Sequence, residues 1–349
     1  MAEKVFKTYR QLITILRRRG LKIKTGSGGS RAIRIFEKEN FYNVINGYKD
    51  LFIDITSSAE DEKYKPNTDF NEVFALYSFD REIRIIFLKY LLQIENEFKS
   101  VLSHHFSEKY GYDNYLRLEN FCYTASTEPR ILKDVAKRHK LDYPHDIEEI
   151  KRISAAENAA CVTKLFGEIQ QVIARQLNKH NPMVSHYMTK YGYIPLWVLV
   201  NVLTFGKVAT FFLHMKEIDK VNVARHFKLP YRELHKYMSM LGYARNKCAH
   251  DERFYDIRFT SRLHTKSIPY FSLIGLPTDK SGSCYMGTND CFAIAIIFKQ
   301  ILSKSDFKEF VSAIDRAFKK LSSQLKTITI ENVQRKMGYP SNWTNLVRL

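Results

Sequence analysis

Two residues have side chains suited to cleaving RNA, namely Arg245 and His250, five positions apart in the segment Arg-Asn-Lys-Cys-Ala-His. A histidine titrates near neutral pH, so it can remove the proton from a ribose 2′-hydroxyl or protonate the leaving 5′-oxygen. An arginine can stabilise the charge of the phosphorane-like transition state. DNA is inert to this chemistry because it has no 2′-hydroxyl. The pair would therefore support metal-independent cleavage of RNA.

The five-residue spacing is weak evidence by itself. With 22 arginines and 11 histidines in 349 residues, chance predicts about one such pair. Arg175 and His180 form a second match, but their neighbours are Gln, Asn and Lys, which is typical of a solvated helix face. Arg245 instead lies on an apolar helical stripe, whose other members are Leu234, Met238, Leu241 and Cys248. A guanidinium there requires a carboxylate or a phosphate as its partner.

Helical periodicity relates the residues of the first pair to one another. Asn246 and His250 are four positions apart and share a face, so the amide can orient the imidazole ring. Arg245 lies about 140° around the helix from His250. One regular helix therefore does not direct both groups at one point. Another helix end, or a second copy of the motif across a dimer, would have to complete the site.

A structural role for the same residues is the alternative. Glu95 lies on the apolar face of a helical pattern between residues 70 and 110, where a carboxylate needs a partner such as Arg84 or Lys99. Arg245 could pair with Glu95 or another acid, and His250 could simply interact with the dipole of a helix end. The residue types alone leave catalysis and this structural role open.

The composition narrows the class of protein. A hydrophobic fraction of 45% excludes a disordered chain, and only 14 glycines and 9 prolines favour long helices over an all-β fold. The net charge of +18 indicates a polyanionic partner such as RNA. Residues 1–35 hold ten basic residues and one acidic residue, so we expect RNA phosphates to bind near the chain ends. The candidate contacts are Arg17, Arg18, Arg19 and Lys247.

The sequence gives no sign of export, of membrane insertion or of a metal or cofactor site. The five cysteines form no C-x-x-C pair, and the first apolar run is too short for a signal peptide, so a reduced cytoplasmic protein is expected. The apolar segment 194–213 contains Lys207 and is predicted to be a buried core helix, not a membrane span.

Local patterns predict the order of the elements. Residues 1–24 read as a basic amphipathic helix, followed by a glycine-rich segment, 24–30, that lacks a phosphate-loop ending and is interpreted as a flexible connector. The glycines and prolines of residues 262–290 predict a long loop or small hairpin. We expect an N-terminal helical region over 1–60 and a helical domain over 61–349.

Several segments resemble one known family. The stretch from Arg245 to Phe254 is similar to the R-N-x-x-A-H-x-x-R-L-W signature of the Abi proteins of the AbiD and AbiF type, a branch of the HEPN superfamily. Other family elements follow in the same order along the chain: Phe41-Tyr42 with Asn46-Gly47-Tyr48, Leu76-Tyr77 with Phe79-Asp80-Arg81 and Arg84, Ile94-Glu95, Pro195-Leu196-Trp197 with Leu203 and Phe205-Gly206, and Met337-Gly338-Tyr339-Pro340 with Trp343.

The resemblance implies an all-α, HEPN-type helical bundle with an N-terminal helical extension and the small insertion near 262–290. It also implies activity in phage defence or as a toxin, and a homodimer whose two chains together form the ribonuclease centre. Carried over by residue, Arg245 and His250 are the catalytic pair, Asn246 is the polar residue beside them, and Glu95 and Arg253 are supporting residues. A small structured non-coding RNA, as antitoxin or guide, is a further possible partner.

Two functions fit these observations. The first is a metal-independent endoribonuclease toxin of an abortive-infection or toxin–antitoxin system. The second is a catalytically inactive RNA-binding protein that forms a complex with a structured non-coding RNA. Both predict RNA binding that weakens with salt. They differ in whether His250 is required for cleavage.

Overall fold

Fifteen α-helices make up the regular structure in a computed structural model that describes residues 5–56, 62–278, 280, 282 and 284–349. In chain order they are α1 Tyr9–Arg18, α2 Ser27–Lys38, α3 Phe41–Asn46, α4 Phe70–Tyr110, α5 Pro129–His139, α6 Ile147–Asn178, α7 Pro182–Tyr191, α8 Leu196–Leu199, α9 Phe205–His214, α10 Glu217–His226, α11 Tyr231–Ala249, α12 Tyr270–Ile274, α13 Cys291–Ile301, α14 Lys304–Ser322 and α15 Ile330–Met337. Within the described residues, β-type pairing is limited to isolated bridges. The predicted all-α class is confirmed.

The chain divides into two units. The first combines Met1–Tyr90 with Ala244–Leu349, and the second is Leu91–Tyr243. The chain passes between them inside α4 and again inside α11. The first unit contains Arg245, Asn246 and His250 together with both chain ends, while Glu95 belongs to the second. The boundary expected after residue 60 stays a prediction.

The core of the first unit is built around α13. Every residue from Cys291 to Phe298 is buried, so this helix is apolar on all sides, as expected for a central helix. The ring of Phe87 on α4 packs against Phe254, Phe298 and Phe310, with centroid distances of 4.9, 5.8 and 5.1 Å. Phe254 thereby anchors the segment just after His250 in the core.

The N-terminal segment differs in part from its prediction. The basic amphipathic helix is confirmed as α1, which buries Ile13 and Leu16, but it covers Tyr9–Arg18 and not all of 1–24. Thr8 caps its start and Gly20, with φ of 89°, follows its end, while residues 1–4 lie outside the described part of the chain. The prediction of a flexible connector over 24–30 is wrong, because Ser27 to Ser30 form the first turn of α2. Glycines favour helices poorly, but Ala32 and Phe36 are fully buried one turn apart and fix the helix by packing.

In the second unit, the apolar segment 194–213 is buried as predicted but is not one helix. Asn201 donates to the carbonyls of Trp197 and Val198 at the end of α8, and Thr204 caps α9 by accepting from the Lys207 amide. Side chains thus satisfy the backbone groups at both sides of the break. Within the described parts of the chain, no helix is long and apolar enough to span a membrane.

The insertion predicted near 262–290 contains little regular structure in its described residues, which exclude 279, 281 and 283. It holds a 3₁₀ turn, Thr265–Ser267, the five-residue helix α12, and one antiparallel bridge between Thr278 and Cys284. Both readings offered by the sequence, a long loop and a small hairpin, therefore describe part of it.

Candidate active site

The candidate catalytic residues lie at the carboxyl end of α11. Arg245 is half-buried, Asn246 and His250 are exposed, and the His250 amide donates to the Asn246 carbonyl at 3.0 Å. Asn246 and His250 therefore lie one turn apart on one face, as predicted. Arg245 precedes His250 by five residues, about 7.5 Å along the axis and about 140° around it. A regular helix with this spacing does not direct both side chains at one point.

A left-handed residue ends the helix directly after His250. Asp251 has φ of 56°, and the Glu252 amide donates to the Lys247 carbonyl at 3.2 Å. This is the bond pattern by which a Schellman cap satisfies the last carbonyls of a helix. The Lys247 ammonium also pairs with the Glu252 carboxylate. His250 is thus the last residue before a defined reversal of the chain.

A buried arginine on α4 binds this reversal from inside the unit. Arg84 is 3% exposed, and its Nη1 donates to the Glu252 carbonyl at 2.8 Å. Its Nη2 lies 2.6 Å from Oδ1 of Asp251, as a close ion pair without hydrogen-bond alignment. A guanidinium can serve two acceptors at once because its donors form a rigid fork. Arg84 therefore fixes both residues that follow His250.

A buried aspartate one turn earlier on α4 binds Phe254 and Tyr255, further along the same turn. The Asp80 carboxylate accepts from the amides of Phe254 and Tyr255, at 3.1 and 2.6 Å, and from the Tyr48 hydroxyl at 2.5 Å. Burial raises the pKa of Asp80 to about 6, against the opposing effects of the Tyr48 hydrogen bond, the Arg84 charge and the two amides. We call Asp80 and Arg84 the α4 anchor.

Arg253, predicted to support the site, lies in the same turn and contacts residues outside the α4 anchor. Its Nη1 donates to the Gly47 carbonyl at 2.7 Å, and its Nε lies 3.0 Å from Asp256. A more distant pair joins it to Asp50 at 3.6 Å. These contacts link the turn to the loop after α3, so every residue from 251 to 255 is held by the first unit.

The other predicted site residues are distributed over the chain. Glu95, in the second unit, is 3% exposed and pairs with Lys99 at 2.7 Å, which confirms one of its two expected partners. In the N-terminal segment, Arg17 donates to the carbonyls of Ile23 and Lys24, and Arg19 pairs with Glu62 at 3.3 Å. The roles of these residues in binding RNA stay predictions.

The local chemistry favours an acid–base role for His250 over the neighbouring thiol as a nucleophile. His250 is exposed and can reach a ligand. Cys248 is buried, and burial raises its pKa well above the usual range, so its thiol stays protonated. Within the described residues, no group of three or more His, Cys, Asp or Glu side chains is arranged to hold a metal ion.

Sequence reasoning did not assign a function to the anchor residues. In the sequence, Asp80 and Arg84 stand out only as members of a family element, and Arg84 also as one of the two partners expected for Glu95. Their four-residue spacing is a usable signal, because a buried Asp and Arg at i and i+4 share one helix face. What the spacing does not reveal is the backbone groups that they bind, which lie 168 to 175 residues further along the chain.

Comparisons with known proteins give one match. The model of the family described as Abi-like protein matches residues 34–256. The matched range includes Tyr48, the α4 anchor and the whole segment from Arg245 to Tyr255. No curated protein and no solved structure gives a significant match to the chain.

Proposed function

The chain belongs to the Abi-like protein family, and from this premise we propose that it acts in abortive infection as a metal-independent endoribonuclease of the AbiD/AbiF branch of the HEPN superfamily. Its substrate is RNA, its catalytic residues are Arg245 and His250, and its active form is a homodimer. Asn246 orients the imidazole. The net charge of +18 favours a polyanionic substrate.

The observation that carries this proposal is that two buried charged residues bind an exposed turn. Asp80 and Arg84 are almost fully buried, yet both bind the turn directly after His250, whose own side chain is exposed. Burying an aspartate and an arginine is costly unless they are well paired. Precise placement of an imidazole at the surface explains this arrangement better than a histidine that only ends a helix.

The reaction follows from the side chains. His250 accepts the proton of a ribose 2′-hydroxyl, and the 2′-oxygen attacks the adjacent phosphorus. The bond to the 5′-oxygen breaks, and a protonated imidazole donates a proton to this leaving group. Arg245 stabilises the added negative charge on the phosphoryl oxygens. The products are a 2′,3′-cyclic phosphate and a 5′-hydroxyl end.

A second chain supplies what one chain lacks. Because Arg245 and His250 are about 140° apart on one helix, the Arg of one protomer and the His of its partner form each centre. Asp251 and Glu252, directly after His250, are exposed and are held by Arg84, which suits a contact between two identical copies. A symmetric dimer would contain two such centres.

The other candidate is an inactive RNA-binding protein in complex with a structured non-coding RNA. The experiment that separates the two incubates purified protein with RNA in excess EDTA and maps the new ends. Cyclic-phosphate ends support the nuclease. RNA that copurifies with the protein and stays intact in this assay supports the inactive complex.

A further inference from the structure

A positively charged pocket lies at the amino end of α2, within the first unit. It has a volume of about 360 Å³, and four basic side chains line it against one carboxylate, that of Asp69. The basic residues are Lys22, Lys24, Arg31 and Arg34. Ser27 and Gly28 of the glycine-rich segment line the pocket, which shares no residue with the candidate active site.

The local structure explains why these four side chains converge. Lys22 and Lys24 flank Ile23, which is buried, so the alternation of an extended segment directs both lysines to the other side. Two backbone bonds hold this segment, from the Lys22 amide to the Thr68 carbonyl and from the Phe70 amide to the Lys22 carbonyl, at 2.8 and 3.0 Å.

The two arginines come from the exposed face of α2. Arg31 and Arg34 are three residues apart and exposed, while Ala32 and Phe36 bury the opposite face. The lysines thus form one wall of the pocket and the arginines the other.

Among the described residues, none of the four cations forms an ion pair with a carboxylate. Within the described part of the chain, Lys24, Arg31 and Arg34 form no side-chain hydrogen bond or ion pair, and Lys22 donates to the side-chain oxygen of Asn67. The neighbouring Arg17 and Arg19 are instead engaged by carbonyls and by Glu62. Like charges that line one pocket repel one another, and an anion bound in the pocket relieves that repulsion.

The backbone is shaped for close approach at the same place. A Cβ added to Gly28 would lie 2.6 Å from Cβ of Lys24, so glycine is required where α2 meets the lysine segment. No side chain caps the first turn of α2, so its amide groups are available beside the cations.

We propose that this pocket binds backbone phosphates of an RNA strand. The inference rests on the proposed function in taking RNA as the nucleic acid. The ligand chemistry is that of a phosphate and not of a base. Among the described lining residues the only aromatic side chain is that of Phe70, which is 3% exposed and offers no stacking surface.

The position suits an RNA that also reaches the catalytic turn. Phe70 begins α4, and Arg84 of the α4 anchor follows fourteen residues later, about 21 Å along the same helix. A strand bound in the pocket is held by its phosphates at that distance from the turn that carries His250. The pocket would therefore position the strand while Arg245 and His250 act on it.

The first test removes charge from the pocket. Arg31→Ala/Arg34→Ala is compared with Lys308→Ala/Arg316→Ala, which removes two exposed cations of α14 that form no ion pair with the described residues. Binding of a single-stranded 2′-O-methyl RNA, which cannot be cleaved, is measured by fluorescence anisotropy across a salt series. The pocket variant should lower the salt slope by about 1.4, since each phosphate contact contributes about 0.7. The α14 variant should change it by less than half of that.

The second test changes shape without changing charge. Gly28→Ala forces Lys24 away, whereas a Cβ at Gly29 would meet only ordinary contacts at 3.7 Å. Gly28→Ala should weaken RNA binding and lower the slope by about 0.7, the contribution of one phosphate contact. Gly29→Ala should bind as the wild type does. If Gly28→Ala does not fold, the arginine pair still decides the question.

Four outcomes are decisive. Equal losses in the α2 and α14 variants would overturn the pocket, because RNA would then respond only to total charge. Loss of nucleoside triphosphate binding in the α2 variant, with RNA affinity unchanged, would also overturn it and assign the pocket to a free nucleotide. Pocket-dependent binding without cleavage of unmodified RNA would support the pocket and contradict the proposed nuclease. Cleavage that requires His250, with RNA binding unchanged in both pocket variants, would support the nuclease and contradict the pocket.

Discussion

Nη2 of Arg84 and Oδ1 of Asp251 lie 2.6 Å apart, and this pair joins the middle of α4 to the residue that follows His250. Arg84 is buried, whereas the Asp251 side chain is 59% exposed. The pair therefore joins the interior of the first unit to its surface. Together with the bond from Arg84 to the Glu252 carbonyl, it makes the position of His250 depend on α4 and not only on its own helix.

Loss of the anchor arginine should destabilise the protein and impair the site. Arg84→Ala removes a charge-assisted hydrogen bond and a partly buried ion pair, so we expect a loss of about 2–3 kcal/mol in the free energy of unfolding. Arg81→Ala, three residues away, removes an exposed pair with Glu39 and should cost under about 1 kcal/mol. Urea denaturation compares the two. Equal losses would show that Arg84 has no special role in the turn.

The free energy of unfolding should depend on pH through the titration of Asp80. Its pKa is raised to about 6 in the folded protein, against a value near 3.8 for a free side chain. Between these values the folded state holds the proton more strongly, so this contribution is complete below about pH 4 and is lost as the pH rises through about 6. The unfolding free energy of the wild type should therefore rise relative to that of Asp80→Asn as the pH falls from 7 to 5. A difference independent of pH would contradict the assignment.

Two adjacent arginines of α1 should separate stability from RNA binding. Arg17 holds the carbonyls of Ile23 and Lys24, so Arg17→Ala should lose about 1 kcal/mol of stability. Arg18 is exposed and forms no hydrogen bond or ion pair with the described residues, so Arg18→Ala should leave stability within about 0.5 kcal/mol. It should lower the salt slope of RNA binding by about 0.7 if it contacts a phosphate. An unchanged slope would exclude Arg18 from the RNA contact.

A dimeric centre predicts complementation between two inactive proteins. Arg245→Ala and His250→Ala should each abolish cleavage alone. In a mixture that has exchanged subunits, one centre of each heterodimer combines an intact Arg with an intact His, which restores about a quarter of the wild-type activity. The cleavage rate of the mixture, measured beside its mass distribution, tests this. No activity in a mixture that contains heterodimers would place both residues of each centre in one chain.

The sequence predicted the features that depend on local periodicity. The scarcity of glycine and proline indicated an all-α fold, and helical spacing placed Asn246 and His250 on one face. The buried carboxylate at Glu95 also implied a partner, and Lys99, four residues later, is one. These relations are fixed within a few turns of one helix, so neighbouring residues contain enough information.

The features that it missed depend on distant packing. Glycine propensity predicted a connector where α2 forms, because the burial of Ala32 and Phe36 was not visible. The break between α8 and α9 depends on side chains that cap backbone groups, which average hydropathy does not record. The amides bound by Asp80 belong to residues far along the chain, so the anchor and the charged pocket both required the structure.

The proposed nuclease activity requires His250, and one comparison tests this requirement. Wild type and His250→Asn are incubated with RNA in excess EDTA, beside His180→Asn as a control in the second arginine–histidine pair. Wild type and the control should produce 2′,3′-cyclic phosphate ends at the same rate. His250→Asn should lose at least a hundredfold in rate, the order expected for a missing general acid–base, while its affinity for 2′-O-methyl RNA stays within a few-fold. Undiminished cleavage by folded His250→Asn protein would contradict the account.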